Sequence, residues 1–332
     1  MHWQKLIVTL LIPGIAGLLL AGCRGSDRAG TKLVIFSQAN NAEPYRAAQN
    51  ERMRTLFGRH EDIRLEIYDA QQDNQQQIFQ IETAIKLNPD LLIVAPNEAQ
   101  PLTRVMGKAM EAGIPTICLE RNITEPHYTT YIRIDNFAIG QKAGEFIVDT
   151  LTAKYGEPSG KIVELRGLLG VAAEENRYNG AHSVFDRYPD VQVVQDAVAD
   201  WLQSNARERM TEILRTQPVI DVVYGHNDPM AMGAYLAARD LGREEEMVFV
   251  GIDGLGGPAG GIRKVMDGIL DVTFRYPLGV DKAVDVGLKI LRDSSFVPEK
   301  TYTIESAIVT PQNAEKMYET YTFRESAADS VK

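Results

Sequence analysis

Carboxylates, amides, guanidinium groups and flat aromatics recur in this 332-residue chain at one kind of place, just beyond short apolar runs. The run at residues 33–36 stops at Ser37-Gln38 and is followed by Pro44, Tyr45 and Arg46. The run at 116–119 ends in Glu120-Arg121, and the stretch after 161–165 leads to Glu174, Glu175 and Arg177. Later runs end in Asp200-Trp201, His226-Asn227-Asp228, Asp253-Gly254 and Arg275-Tyr276. Such groups suit a polyhydroxylated ligand, because their polar ends bond hydroxyls and ring faces cover C–H surfaces. The pairs Glu174/Glu175 and Asp200/Asp253 could serve as general acid and base, but no nucleophile or metal-ligand cluster accompanies them. Binding without catalysis, cofactor or metal is therefore expected. The stretch from Gly254 to Ala259 fits G-x-G-x-x-G/A, yet it follows the ninth strand candidate, where a dinucleotide fingerprint belongs to the first. A glycine turn that lets Pro258 open a helix is the expected role. No Walker A, G-x-S-x-G or H-E-x-x-H motif occurs. Of the five histidines only His226 lies at a strand end, where it shapes the loop.

These residues need elements to hold them. Strands are expected at 33–36, 63–68, 91–94, 116–119 and 129–134, then at 161–165, 191–194, 219–224, 247–252 and 270–274. A helix starts at Pro44, and helical patterns cover 74–87, 102–112, 138–151, 177–185, 206–214, 230–241 and 281–291. Alternating strands and helices imply parallel sheets with helices on both faces, whose ligands lie beyond the carboxyl ends of the strands. Two sets of five units predict an α/β fold of two doubly wound lobes with a boundary near Asp135-Asn136. The polar end from Thr322 is expected to fray.

Composition narrows the partners. Hydrophobic and charged contents of 44% and 24% are those of a soluble globular protein. The net charge of −10 argues against nucleic acid, which needs a basic face. Two cysteines, Cys23 and Cys118, exclude a disulfide framework. Lys5 and the apolar stretch 6–20 have the layout of a secretory signal over residues 1–22. Its end, Leu20-Ala21-Gly22-Cys23, resembles the lipobox of bacterial lipoproteins, which implies acylation of Cys23 and a tether at 23–31. Cys118, inside the apolar run 114–119, reads as a buried free thiol.

The stretches VIFSQ and PYRAA (34–48), IPTICLERN (114–122), IRIDN (132–136), KIVELRGLLGVAAEENR (161–177), DVVYGHNDPMAMGA (221–234) and VGIDG (250–254) resemble the type I periplasmic sugar-binding proteins. They are most similar to the ribose- and galactofuranose-binding branch. That resemblance implies a three-strand hinge joining a lobe of residues 32–135 plus 276–304 to one of 136–275 plus 305–321. It also implies a ligand site of Arg121, Arg177, Trp201, Asn227 and Asp253, with Gln38, Tyr45 and Arg46 shared with the galactofuranose branch. Glu120 stands where the family usually has Asp, and Arg275 where it often has an amide. The implied protein is a monomer that captures a monosaccharide and hands it to the permease of an ABC importer. Other readings are a receptor for a membrane sensor kinase or chemoreceptor, or a site for a sugar acid or polyol. A LacI-type repressor shares the fold but carries a helix-turn-helix where this chain has its signal. Four arginines (46, 121, 177, 275) against Glu120 and Asp253 leave two positive charges, which Glu43 or Asp200 can offset for a neutral sugar.

Overall fold

The computed structural model describes residues 30–326, so the signal, Cys23 and the lipobox lie outside the described residues. Its apolar runs form two six-stranded sheets. The first contains β1 (Lys32–Gln38), β2 (Ile63–Asp69), β3 (Leu91–Val94), β4 (Thr116–Glu120), β5 (Thr130–Ile134) and β11 (Thr301–Ile304) in the order β2-β1-β3-β4-β5-β11, all parallel. The second contains β6 (Gly160–Arg166), β7 (Val191–Val198), β8 (Val222–Gly225), β9 (Val248–Asp253), β10 (Val272–Arg275) and β12 (Ile308–Val309) in the matching order β7-β6-β8-β9-β10-β12. Here β12 runs antiparallel to β10, so this sheet is not wholly parallel. The short runs Leu91–Val94 and Val222–Gly225 are buried throughout, as expected of central strands covered on both faces.

Helices α1 (Pro44–Phe57) and α9 (Val280–Arg292) cover one face of the first sheet, and α2 (Asn74–Leu87) and α3 (Ala99–Glu111) the other. In the second lobe α4 (Asn136–Tyr155) and α5 (Ala172–Phe185) pack together on one face, and α6 (Gln203–Thr216) and α7 (Asp228–Asp240) on the other. Caps set these helices. Asp73 accepts from Gln75 N at 2.7 Å to start α2, which ends at Asn88 in the left-handed region. Asp135 accepts from Ala138 N at 3.1 Å to start α4.

Three strands or α-helices escaped the sequence pattern, β11, β12 and α10 (Ala314–Ser326), and α8 (Gly261–Met266) was expected three residues earlier. The chain makes a turn from Gly257 to Gly260 before α8, so the helix begins at Gly261 and not at Pro258. Helix α10 packs on α8 and continues past Thr322, whose Oγ1 accepts from Gly257 N at 2.9 Å. The expected fraying from Thr322 is therefore corrected as far as Ser326; residues 327–332 lie outside the described residues. The chain crosses between lobes three times: before α4, between β10 and α9, and between β11 and β12.

Candidate ligand-binding site

Between the two lobes, beyond the carboxyl ends of the parallel strands, lies a narrow cavity. The first lobe contributes Glu43, Tyr45, Arg46, Glu120 and Arg121 to its walls. The second contributes Ala173, Arg177, Trp201, Asn227 and Asp253, and Tyr276 comes from the second crossover.

The first-lobe wall is a set of paired charges. Because Pro44 starts α1 directly after the loop from β1, Arg46 falls in the first turn and reaches back to the strand ends. It is 1% exposed, with Nη1 at 2.6 Å from Glu120 Oε2 and donating to Gln49 Oε1 at 3.0 Å. Arg121 donates from Nη1 to the Asn97 carbonyl at 2.9 Å. Its Nε lies 3.8 Å from Glu120 Oε2, and its Nη2 lies 3.9 Å from Glu43 Oε1. Glu43 in turn accepts from Asn40 Nδ2 at 2.6 Å. Burial pushes the Glu120 carboxyl up, but Arg46, Arg121 and the Tyr276 hydroxyl outweigh it and hold the group below its ordinary range.

The second-lobe wall depends on close backbone contact. A Cβ on Gly140 of α4 would come within 2.2 Å of the Arg177 carbonyl, and one on Gly180 within 2.2 Å of the Phe137 carbonyl. These two glycines let α4 and α5 touch and so place Arg177. Arg177 donates from Nε to Asn136 Oδ1 at 2.9 Å and from Nη1 to the His226 carbonyl. Its guanidinium lies 4.4 Å from the Tyr276 ring and 5.4 Å from the Trp201 ring. The indole rests on Gly167, where a Cβ would meet it at 2.2 Å. Asn227 caps α7, accepting from Met230 N at 2.9 Å and donating to the Trp201 carbonyl at 3.0 Å.

Asp253 differs from every other charge in the cavity. It is 4% exposed, and among the described residues nothing donates to its carboxylate. Burial, together with neighbouring Asp228, pushes its pKa well above the ordinary value. Asp228, buried beneath it, is raised to about 6 by burial while accepting from Thr273 Oγ1 at 2.6 Å and Gly254 N at 2.8 Å. Glu120, Trp201 and Asp253 all hold φ angles of +67°, +69° and +135°, a strain found where geometry is functional.

Two expected site residues are not on the walls. Gln38 is satisfied behind them: its amide donates to Gln49 Oε1 at 3.2 Å and Asn50 Oδ1 at 3.1 Å, and its carbonyl accepts from Ala39 N at 3.0 Å. Arg275 donates to the Gly254 carbonyl at 3.0 Å and stacks 3.3 Å from the Tyr321 ring of α10. Three lining residues were not on the sequence's site list, Glu43, Ala173 and Tyr276. Alternation along an extended strand could have found Tyr276, since it turns to the face opposite Arg275. His226 bonds Glu164 at 2.9 Å through Nε2, in keeping with a loop-shaping role.

A family model described as a periplasmic binding protein domain matches residues 34–276, most of the chain. The chain belongs to the periplasmic binding protein family. Within the family it is of the type I, sugar-binding kind, whose members bind substrates without transforming them and work outside the cytoplasm. The ribose import binding protein of Bacillus subtilis is 30% identical over 188 residues, covering 57% of this chain and 59% of that protein. The galactofuranose-binding protein of Escherichia coli is 25% identical over 328 residues, 96% of this chain and 98% of that one. Among solved structures, the fructose-binding periplasmic domain of a hybrid two-component system superposes with a TM-score of 0.83 at 34% identity. That match covers 89% of this chain and 96% of the other. The paired-lobe cavity of this binding protein is accordingly its candidate capture site.

Proposed function

We propose that this binding protein captures one neutral monosaccharide by closing its lobes and presents it to an ABC importer. The observation that carries the ligand class is the charge balance of the walls: Arg46, Arg121 and Arg177 against Glu43, Glu120 and Asp253. With Arg275 held against Tyr321, three cations meet three carboxylates, and a closing cavity has no surplus for a charged ligand to offset. The Trp201 face and the Tyr45–Tyr276 pair, with centroids 4.9 Å apart, offer surface for C–H groups. Residues from both lobes would touch the sugar, so it binds the closed form better and shifts the hinge toward closure. The moving bodies are residues 32–135 with 276–304 and residues 136–275 with 305–321. Cys23 carries the lipid that keeps the domain at the membrane.

A second reading is sugar sensing through a membrane kinase, which the 34% likeness to a two-component receptor domain favours. Both readings share the capture step. It is tested by thermal shift against aldoses, D-fructose, polyols and the matching sugar acids, at low and high salt. A neutral sugar should give the largest rise in Tm; a clear preference for the acid overturns the ligand class. For the anchor, Cys23→Ser should release protein from the membrane fraction, and unchanged fractionation and migration would refute it.

A further inference from the structure

An unbroken line of hydrogen bonds runs through the hinge from Arg177 in the second lobe to Glu120 in the first. Arg177 Nε donates to Asn136 Oδ1 at 2.9 Å, and Asn136 Nδ2 donates to the Tyr276 hydroxyl at 3.1 Å. The Tyr276 O–H then donates to Glu120 Oε1. Chemistry fixes the direction. A guanidinium only donates and an ionised carboxylate only accepts. The single hydroxyl hydrogen of Tyr276 is committed to Glu120, so its oxygen must receive the Asn136 amide. That leaves Asn136 Oδ1 facing Arg177, and a flipped amide would set NH₂ against a guanidinium. A cation and an anion on separate lobes are thus joined by two neutral groups with one allowed orientation.

Position makes the line mechanical. Asn136 is the first residue of α4, at the first crossover, and Tyr276 lies on the second. Arg177, Asn136, Tyr276 and Glu120 are 2%, 7%, 2% and 2% exposed, so the line is buried along its length. A hydrogen bond does not survive stretching much beyond about 3.5 Å. Rotation of the lobes about the crossovers must therefore break at least one link. Its charged ends make each bond stronger than a neutral pair.

We propose that Asn136 is a positioning residue for capture: it sets the closed angle of the hinge by joining Arg177 to Tyr276 and Glu120, without lining the cavity. The proposal rests on the capture reading for its effect on sugar release, but its effect on the hinge needs no ligand. The test uses Asn136→Leu, Asn136→Asp and Tyr276→Phe in the full chain. Small-angle X-ray scattering follows the ligand-free protein, and stopped-flow binding of D-fructose and D-ribose follows the site. Asn136→Leu should enlarge the ligand-free radius of gyration and speed release about tenfold, with association nearly unchanged. Asn136→Asp keeps an acceptor for Arg177 but loses the donor to Tyr276, so it should fall between wild type and Asn136→Leu. Combining Asn136→Leu with Tyr276→Phe should do no more than the stronger single change, as for members of one chain. A merely structural Asn136 would lower Tm and leave the scattering and the release rate alone. That outcome, or additive effects in the double variant, overturns the proposal. If neither sugar nor any other in the panel binds wild type, the capture reading fails, and the scattering comparison alone decides the role of Asn136.

Discussion

The first-lobe wall of the cavity holds two guanidinium groups and two carboxylates linked by contacts within 4 Å, while the second holds a tethered guanidinium and a carboxylate that accepts no hydrogen bond among the described residues. Buried polar atoms without partners divide the same way. In the first lobe they include Arg46 Nε, Arg121 Nε and Glu120 Oε2, all on groups that form ion pairs with one another. In the second, the cavity-lining Trp201 Nε1 is unpartnered. The contrast separates two tasks. Charges that neutralise each other keep a wall in shape when it is empty, whereas an uncompensated carboxylate contributes only once hydroxyls arrive.

The largest expected effect tests the first half of that contrast. Arg46→Ala leaves Glu120 buried without its closest cation and should cost about 3–5 kcal/mol of stability in urea unfolding. Capture should fail as well. Asp253→Asn should behave oppositely, with unfolding unchanged or slightly more favourable to the folded state and sugar affinity lower by about 1.5–3 kcal/mol in calorimetry. Equal stability losses in both variants would erase the distinction between the walls.

The walls should also respond to pH in opposite directions. Asp253 and Asp228 have folded pKa values above the ordinary 3.8, the latter about 6, so the folded state holds their protons longer than the unfolded chain. Their stabilisation is complete below pH 3.8; that of Asp228 is lost as pH rises toward 6, and that of Asp253 as pH rises through its own raised pKa. Glu120 is held below its ordinary 4.5, so its stabilisation is present above that pH and is lost as pH falls below it. Unfolding of the ligand-free protein should therefore show stability rising as pH falls from 7 toward about 4.5, with the Glu120 loss opposing the gain at lower pH. Asp253→Asn should flatten the first limb and spare the second. The smallest effect sharpens the charge balance. Glu43→Gln removes one of three wall carboxylates and should shift preference toward a sugar acid on the order of fivefold at low salt, less at high salt. An unchanged ratio of acid to aldose binding would show that Glu43 does not set the ligand charge.

Much of this was legible in the chain because it is written locally. Runs such as Leu91–Val94 have no competing pattern, and Asp73 announces α2 through its own side chain. Arg46, Glu120 and Asp253 were legible because strand ends in this architecture converge on one cleft. Gln38 stands at such an end too, but two amides of α1 engage it, and no spacing rule reveals a contact between side chains on separate elements. The edge strand Thr301–Ile304 is partly exposed and weakly apolar, Ile308–Val309 is only two residues long, and both exist through pairing with β5 and β10. Tertiary pairing overrides local preference there. The docking of α10, which draws Arg275 away from the cavity, was hidden for the same reason.

The late strands also set an order of assembly. Thr130 bonds the Glu299 carbonyl across 169 residues of chain, and β11 closes the edge of a sheet whose other strands end at Ile134. The second sheet likewise waits for Ile308 and Val309. On the ribosome, which releases the N-terminal part first, both lobes keep an open sheet edge until the last tenth of the polypeptide emerges. Such distant pairings raise contact order and slow folding. A nascent chain of this topology thus stays incompletely folded through most of its synthesis, and neither lobe completes before the other.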